Sequence, residues 1–238
     1  MIYLRSALFF PFFVLGIIFF ATLICLVWPV TQQPFRQRLA KGWAHYNRLI
    51  LAAICNLRDS VEGMENLPPP PYVILSKHQS AWETITYLDI FPSFVWALKR
   101  ELKYVPFFGW ALVAVGEIFL DRSHSVEAMK TLLKESRAAF DRGYSLLVFP
   151  EGTRVAYGEV GNYQAGGVSV ALSCGVPIVP VAHNAGYFWS RRSFLKKPGT
   201  IRVRIGKPIP TTGLTPAGRK VLLEQVRETI EGMARELS

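Results

Sequence analysis

Two short stretches of the sequence carry residues that could catalyse a reaction. In the first, His78 and Glu83 are separated by five positions, and five steps of about 100° place two side chains roughly 140° apart around a regular helix. The two side chains can therefore meet only if His78 lies on the loop after a strand and Glu83 lies in the first turn of the next helix. A carboxylate placed in this way keeps one imidazole nitrogen protonated and stabilises the imidazolium, so the pair would act as a general base.

The acid of this pair also has a structural interpretation. Ser80 and Glu83 fit the S-x-x-E capping box, in which the two side chains bind the free backbone N–H groups at the start of a helix. Spacing alone leaves both interpretations open.

The second stretch, Phe149 to Arg154, is suited to binding a phosphate. It follows the short apolar run from Ser145 to Phe149, which predicts a buried strand. Gly152 allows backbone N–H groups to approach an anion closely, and the planar guanidinium of Arg154 can bind two phosphate oxygens together. Glu151 does not favour a phosphate unless it binds a hydroxyl or positions the arginine. An ordinary charged surface loop is the alternative.

Basic residues follow several predicted strands and could gather around one anion. Lys99, Arg100, Arg122 and Arg154 occupy such positions. Taken singly, each is more often a solvated surface cation. Because the ends of parallel strands meet at one edge of a sheet, four cations in equivalent places favour an anion site at that edge.

The other histidines and the cysteines have weaker patterns. His45, His124 and His183 show no metal-ligand spacing, so we assign them to structure or surface and predict no metal site. Cys174 ends an apolar helical stretch, where cysteine is usually inert packing. The three cysteines are widely spaced and have no C-x-x-C pairing, which is typical of a reduced, cytosol-facing protein.

Strands and helices alternate along most of the chain, and these elements must position the residues above. The strands are predicted from short apolar runs and the helices from apolar residues at helical spacing. We predict strands at 72–76, 94–98, 117–120, 145–149, 177–182 and 201–205, and helices ending near 89, at 125–142, at 166–173 and from 215 onward. This order predicts an α/β fold with a mixed, mostly parallel sheet flanked by helices and with functional groups at the strand ends.

The first part of the chain is apolar enough to enter a membrane. Residues 6–32 carry no charge and are long enough to cross the roughly 30 Å hydrocarbon layer. Basic residues follow this segment, so the positive-inside rule places the remainder in the cytoplasm. A second apolar stretch, Trp43 to Leu57, is short and interrupted. A shallow anchor of two helices in one leaflet is therefore the rival of a true crossing, and a buried core hairpin is the third possibility.

Composition and a run of prolines complete this picture. Four prolines at 68–71 cannot continue a helix, so we predict a helical membrane anchor at 1–67 and a catalytic domain at 68–238.

The formal net charge is +10, from 27 Lys and Arg against 17 Asp and Glu, which indicates an anionic partner surface. The sequence has no zinc-finger, helix-turn-helix or ribonucleoprotein motif, so we predict a lipid bilayer as that partner and no nucleic acid.

Four blocks of the sequence occur in the order of one known family. They are 77–83, 99–122 with its segments 99–102, 106–110 and 118–122, then 149–154, and finally 176–181. Together they resemble the membrane-associated 1-acylglycerol-3-phosphate acyltransferases of phospholipid synthesis, also called lysophosphatidic acid acyltransferases. The third block is the most specific of the four.

The resemblance implies a role for each matching residue. His78 would be the catalytic base, and Glu83 would be its carboxylate partner in a place where the family usually has aspartate. The extra methylene of Glu83 changes the reach of the carboxylate without changing its charge. The substrate phosphate would be bound by residues of the second and third blocks, namely Lys99, Arg100, Arg122, Glu151, Gly152, Thr153 and Arg154.

The reaction implied by the resemblance is acyl transfer from acyl-CoA or an acyl carrier protein to lysophosphatidic acid, giving phosphatidic acid without a metal or other cofactor. The enzyme would act on the cytoplasmic face of the inner (plasma) membrane. Two alternatives stay open, an acyltransferase for another lysophospholipid and a membrane-bound lipid hydrolase, although the sequence has no G-x-S-x-G elbow. A non-catalytic membrane-binding protein would leave His78, Glu83 and Glu151 without a role.

Overall fold

The computed structural model describes residues 1–121 and 123–237. The described residues form eight α-helices and seven strands, of which the first two helices are an N-terminal pair and the other six helices are interspersed with the strands. The helices are α1 (Ile2–Val27), α2 (Gln33–Cys55), α3 (Trp82–Ile90), α4 (Phe108–Ala114), α5 (Ser125–Asp141), α6 (Gly166–Cys174), α7 (Ala185–Phe188) and α8 (Arg219–Glu236). The strands are β1 (Leu57–Glu62), β2 (Val73–Ser76), β3 (Phe94–Lys99), β4 (Ile118–Leu120), β5 (Ser145–Val148), β6 (Ile178–His183) and β7 (Gly199–Ile205).

The seven strands form one sheet in the order β1, β7, β6, β2, β5, β3, β4. Strands β6 and β7 pair in antiparallel fashion, and the other neighbours are parallel. Every residue of β2 and of β6 is buried, because helices cover both faces of the parallel part of the sheet. The predicted fold class, a mixed and mostly parallel sheet flanked by helices, is confirmed.

The topology brings the ends of five strands to one edge of the sheet. Strands β6, β2, β5, β3 and β4 run in the same direction, so their carboxyl ends meet there. The chain passes from β5 on one side of β2 to β6 on the other side. Such a reversal of strand order opens a crevice beyond the carboxyl ends, where open α/β sheets bind ligands.

The segment assigned to the anchor contributes a strand to the sheet. Residues 57–62 form β1, which pairs in parallel with β7 from Leu57 opposite Gly199 to Glu62 opposite Arg204. Leu57 is the fully buried residue of this edge strand, so its sequence lacks the apolar alternation from which a strand is predicted.

Helices α1 and α2 form an antiparallel pair that packs on the domain. Gly16 lies where the two helices approach most closely, because a Cβ there would come within 2.6 Å of the Tyr46 ring. The hydroxyl of Ser6 accepts the backbone N–H of Lys196 at 3.0 Å, and the Phe9 ring packs edge-on against Trp189 with centroids 5.9 Å apart. One face of α1 therefore belongs to the protein core.

The opposite face of α1 is exposed and apolar. Leu8, Leu15, Ile18 and Phe19 each leave half or more of their surface accessible. Among the described residues, 2–30 form the one helical segment that is long and apolar enough to cross a membrane, with a mean hydropathy of 2.7. A face of this kind indicates association with a membrane.

Candidate active site

The structure places His78 and Glu83 as their spacing requires. His78 lies on the loop after β2, and Glu83 lies in the first turn of α3. The Nδ1 atom of His78 is 3.6 Å from Oε1 of Glu83, which is longer than a hydrogen bond. Such pairs are often long without substrate and shorten when it binds. The imidazole stacks on the Phe149 ring with centroids 3.8 Å apart and 8° between the planes.

The carboxylate of Glu83 also closes the start of α3. It is completely buried and accepts the backbone N–H groups of Gln79 at 2.6 Å and Ser80 at 2.9 Å. The hydroxyl of Ser80 accepts the N–H of Trp82 at 3.1 Å in return. The geometry is compatible with both interpretations of Glu83, since its carboxylate binds backbone N–H groups before α3 and also faces His78.

A second histidine contacts the same carboxylate. Nε2 of His183, at the end of β6, lies 3.1 Å from Oε1 of Glu83. Burial raises the pKa of Glu83, but the interactions of the carboxylate with His183, followed by those with His78, outweigh it and place this pKa below its usual range. The assignment of His183 to structure or surface overlooked this contact. The available signal was its position at a strand end, which it shares with the other site residues.

Glu151 is turned into the protein. It is 6% exposed, and its Oε2 accepts the backbone N–H of His78 at 2.7 Å, while Oε1 lies 3.0 Å from Nζ of Lys77. Burial raises the pKa of Glu151 against the opposing effect of Lys77. These contacts link the loop after β5 to the loop that carries the catalytic histidine.

The Lys77 side chain connects Glu151 to the C-terminal helix α8. Lys77 is 1% exposed, and its Nζ donates to Oε1 of Glu231 on α8 at 2.6 Å. The hydroxyl of Tyr163 donates to the same oxygen at 2.8 Å. A buried lysine between two carboxylates is strongly constrained, because removing one partner leaves an uncompensated charge. These buried contacts of Lys77, Glu151, Glu231 and Tyr163 therefore hold the loop that carries His78 from the protein interior.

The predicted phosphate ligands lie at the same sheet edge. Lys99 ends β3 and is exposed, and the exposed Arg100 pairs with Asp121 at 3.0 Å. Gly152 has a φ of +68°, so the turn after β5 favours glycine, and Gly152 and Thr153 are both exposed. Arg122 lies outside the described residues.

An apolar cavity of about 340 Å³ lies beside the pair. Its walls come from α1, α2, α3, β3 and α4, and its ionisable lining residues are Arg154 and Glu117. Thr84 lines it next to Glu83, and Val155, which follows Arg154, donates its N–H to the carbonyl of His78 at 2.8 Å. The cavity therefore lies next to the candidate catalytic pair.

Glu117 is an acid in an apolar setting. Its Oε2 accepts the backbone N–H of Trp96 at 2.5 Å. Burial raises the pKa of Glu117 to about 8, and the bond from Trp96 opposes this rise. Within residues 1–121 and 123–237, His, Cys, Asp and Glu side chains form no cluster of three that could hold a metal ion.

The fold and this site define a class of enzyme. An imidazole and a carboxylate beside an apolar cavity, with cations at the same sheet edge, are the arrangement expected of an enzyme for base-catalysed transfer to an amphipathic, anionic substrate.

Comparison with known proteins gives the family. The family model described as Acyltransferase matches residues 58–184. A 1-acyl-sn-glycerol-3-phosphate acyltransferase of Pseudomonas aeruginosa is 37% identical over 99% of this chain and 92% of its own length. The enzyme of that name from Saccharomyces cerevisiae is 33% identical over 91% of this chain and 71% of its own length. The chain belongs to the acyltransferase family.

A solved structure has the same fold. The crystal structure of the 1-acyl-sn-glycerophosphate acyltransferase of Thermotoga maritima aligns with a TM-score of 0.81 at 21% identity, covering 99% of this chain and 95% of the other. The helix pair and the sheet are thus both included in the match.

Proposed function

We propose that this acyltransferase transfers a fatty acyl group from an acyl thioester to the free hydroxyl of 1-acyl-sn-glycerol 3-phosphate, giving phosphatidic acid for phospholipid synthesis. The observation that carries the proposal is the His78 and Glu83 pair next to an apolar cavity. The names of the relatives support the choice of substrate.

His78 acts as the base in this proposal. Because its Nδ1 faces Glu83, Nε2 is the nitrogen that removes the proton from the acceptor hydroxyl. The hydroxyl oxygen then attacks the thioester carbonyl, the new C–O bond forms and the C–S bond breaks. The imidazolium returns its proton to the leaving thiol, and Glu83 stabilises the positive charge between the two steps.

The cations at the sheet edge bind the acceptor phosphate. A phosphate monoester carries close to two negative charges near neutral pH, so it gains more from several cations than a capped diester does. Lys99, Arg100 and Arg154, with the exposed turn at Gly152 and Thr153, supply this site, and Arg122 is assigned to it from the sequence. Glu151 contributes indirectly, because its carboxylate binds the backbone N–H of His78.

The cavity takes the acyl chain that is transferred. Its walls are apolar, and burial of each methylene contributes about 0.8 kcal/mol to binding. The acyl chain of the acceptor stays partly in the bilayer, which explains why α1 has both a core face and an exposed apolar face.

The catalytic domain lies on the cytoplasmic face of the inner membrane in this proposal. Arg36, Arg38, Lys41 and Arg48 follow α1 and support this orientation through the positive-inside rule. Protease added to right-side-out vesicles is expected to leave residues 72–238 intact, and cleavage within them would reverse the orientation.

The activity is tested with purified protein in mixed micelles. Acyl-CoA and acyl carrier protein are each offered with lysophosphatidate, lysophosphatidylcholine or water as acceptor, and products are identified by mass. We expect phosphatidic acid as the main product and its loss in His78→Ala. His45→Ala is the matched control, because His45 also pairs with a carboxylate, Asp89 at 3.0 Å, but on the surface. Free fatty acid as the main product would identify a hydrolase instead.

A further inference from the structure

His183 is buried and contacts both segments that form the candidate base. It is 1% exposed, and its Nε2 lies 2.9 Å from the carbonyl oxygen of Lys77 and 3.1 Å from Oε1 of Glu83. The carbonyl belongs to the peptide that leads into His78. One nitrogen atom therefore touches the loop of the base and the carboxylate of its partner.

The contacts fix the tautomer of His183. Its Nδ1 accepts the backbone N–H of Ala185 at 3.2 Å, so this nitrogen carries no proton. Its Nε2 faces two acceptor oxygens and must carry one, because an unprotonated nitrogen would repel both. The ring is a neutral donor whose N–H is directed at the Lys77 carbonyl, with the Glu83 carboxylate as second neighbour.

We propose that His183 is a positioning residue for the general base: its Nε2–H holds the carboxylate of Glu83 against the loop that carries His78. The inference rests on the proposed function, because it gives Glu83 a part in base catalysis. Glutamate at position 83 fits this arrangement. Its side chain is one methylene longer than that of aspartate, and it contacts the end of β6 as well as the start of α3.

The aromatic residues around His183 give it a fixed place. Its ring centroid lies 6.1 Å from that of Trp82 and 6.2 Å from that of Tyr87, and the Tyr87 hydroxyl is engaged with Oγ of Ser76 at 2.9 Å. Glu83 is thus the ionisable side chain that the described contacts place next to the His183 nitrogens. Loss of this N–H would leave the carboxylate held by the backbone N–H groups of Gln79 and Ser80 alone, without a contact to the end of β6.

Substitutions separate positioning from packing. His183→Phe keeps a ring but removes the donor, and we expect kcat to fall about 10- to 100-fold. In the Glu83→Gln background the same change is expected to cost less than about threefold, because the carboxylate that it positions is already gone. His183→Gln returns an amide N–H near the place of Nε2 and is expected to restore most of kcat. If His183→Phe does not fold, His183→Asn replaces it, since asparagine can still accept from Ala185 but does not reach Glu83.

A second readout needs no substrate. Diethyl pyrocarbonate modifies the unprotonated imidazole, so the modification of His78, followed by mass spectrometry against pH, reports its protonation. In His183→Phe the midpoint of this curve is expected to move to lower pH by about half a unit to one unit, because the displaced carboxylate stabilises the imidazolium less. The acid limb of kcat/KM should move in the same direction.

The control is Tyr87→Phe, which removes a buried hydroxyl from the same core. It is expected to lower the melting temperature and to leave the His78 curve in place. If His183→Phe also leaves that curve in place and costs the same factor in both backgrounds, His183 is only packing and the inference fails. A wild-type protein that does not acylate lysophosphatidate refutes the proposed function, whereas the modification curves still decide the inference.

Discussion

Glu83→Gln tests the candidate base most directly, because Glu83 closes a helix and faces two histidines. The carboxylate accepts the N–H groups of Gln79 and Ser80 and lies 3.6 Å from His78 and 3.1 Å from His183. Glutamine has the same shape, but one of its two terminal atoms is a donor. Both histidines and both capping N–H groups face Oε1, so the amide oxygen of glutamine can take its place. The NH₂ group then replaces Oε2, which lies 3.1 Å from the backbone N of Ser80.

The expected losses follow from these contacts. The bonds to Oε1 lose their charge assistance, and the buried NH₂ group faces the N–H of Ser80 without an acceptor, so the free energy of unfolding should fall by about 1–3 kcal/mol. The imidazolium of His78 loses its counter-charge, and kcat should fall by about 10²–10⁴-fold. Chemical denaturation and steady-state kinetics on the same preparation measure the two effects.

The pH dependence gives an independent check. Burial raises the pKa of Glu83, but His183 and then His78 bring the net value below the usual 4.5. A carboxyl whose pKa is lower in the folded state contributes stability above its unfolded pKa and loses it as the pH falls through the folded pKa. The stability difference between wild type and Glu83→Gln should therefore be largest near neutral pH and should shrink in acid.

Ser80→Ala is the matched control for the capping contact. It removes the bond from Trp82 N–H and should cost about 0.5–2 kcal/mol of stability while kcat stays within a few-fold of wild type. If Glu83→Gln turns over as fast as wild type and melts at the same temperature, Glu83 has no part in the mechanism, and His78 acts without this carboxylate.

Three further substitutions test the phosphate site and the cavity. Arg154→Lys keeps the charge but loses the planar fork, so kcat/KM for lysophosphatidate should fall by an amount equal to about 1.5–3 kcal/mol; wild-type kinetics would make Arg154 a surface residue. Glu117 has a pKa raised by burial to about 8 from 4.5, so its stability contribution is complete below about 4.5 and lost as the pH rises through about 8. Glu117→Gln should melt at a higher temperature than wild type at pH 9, and equal melting curves at pH 6 and 9 in wild type would refute this. Ala111→Phe narrows the cavity and should shift the preference to shorter acyl donors, by about 0.8 kcal/mol for each displaced methylene; an unchanged preference would place the acyl chain elsewhere.

Much of the fold follows from local patterns in the sequence. The strands β2 and β6 are continuous apolar runs because both of their faces are covered, and α5 has its apolar residues at helical spacing. Strand β1 was not predicted, because a half-exposed edge strand with one fully buried side chain has too weak a pattern. Its place beside β7 is set by tertiary pairing, which local propensity does not report.

The candidate site also has contacts that the sequence predicts and contacts that it does not. The arrangement of His78 and Glu83 could be predicted because both residues belong to one strand, loop and helix unit. The contacts of His183 and Glu231 could not, because they depend on which strand lies beside β2 and where α8 packs. The family resemblance implied that Glu151 binds the substrate phosphate, whereas its described contacts are with Lys77 and the His78 backbone. The role of the predicted phosphate ligands stays a prediction.

The helix pair packs into the core of the domain and also presents an exposed apolar face. Phe9 of α1 and Leu51 of α2 belong to the same buried core as Ile74 of β2, and Phe13 and Ile24 of α1 line the cavity beside the catalytic pair. A helix pair that only attached the domain to a membrane would need neither the core contacts nor the cavity contacts. Because one wall of the cavity is the inner face of a helix whose outer face is exposed and apolar, an acyl chain in the cavity and a lipid chain in the bilayer would lie on opposite sides of α1. The same helix therefore separates the two hydrocarbon environments that the proposed reaction must connect.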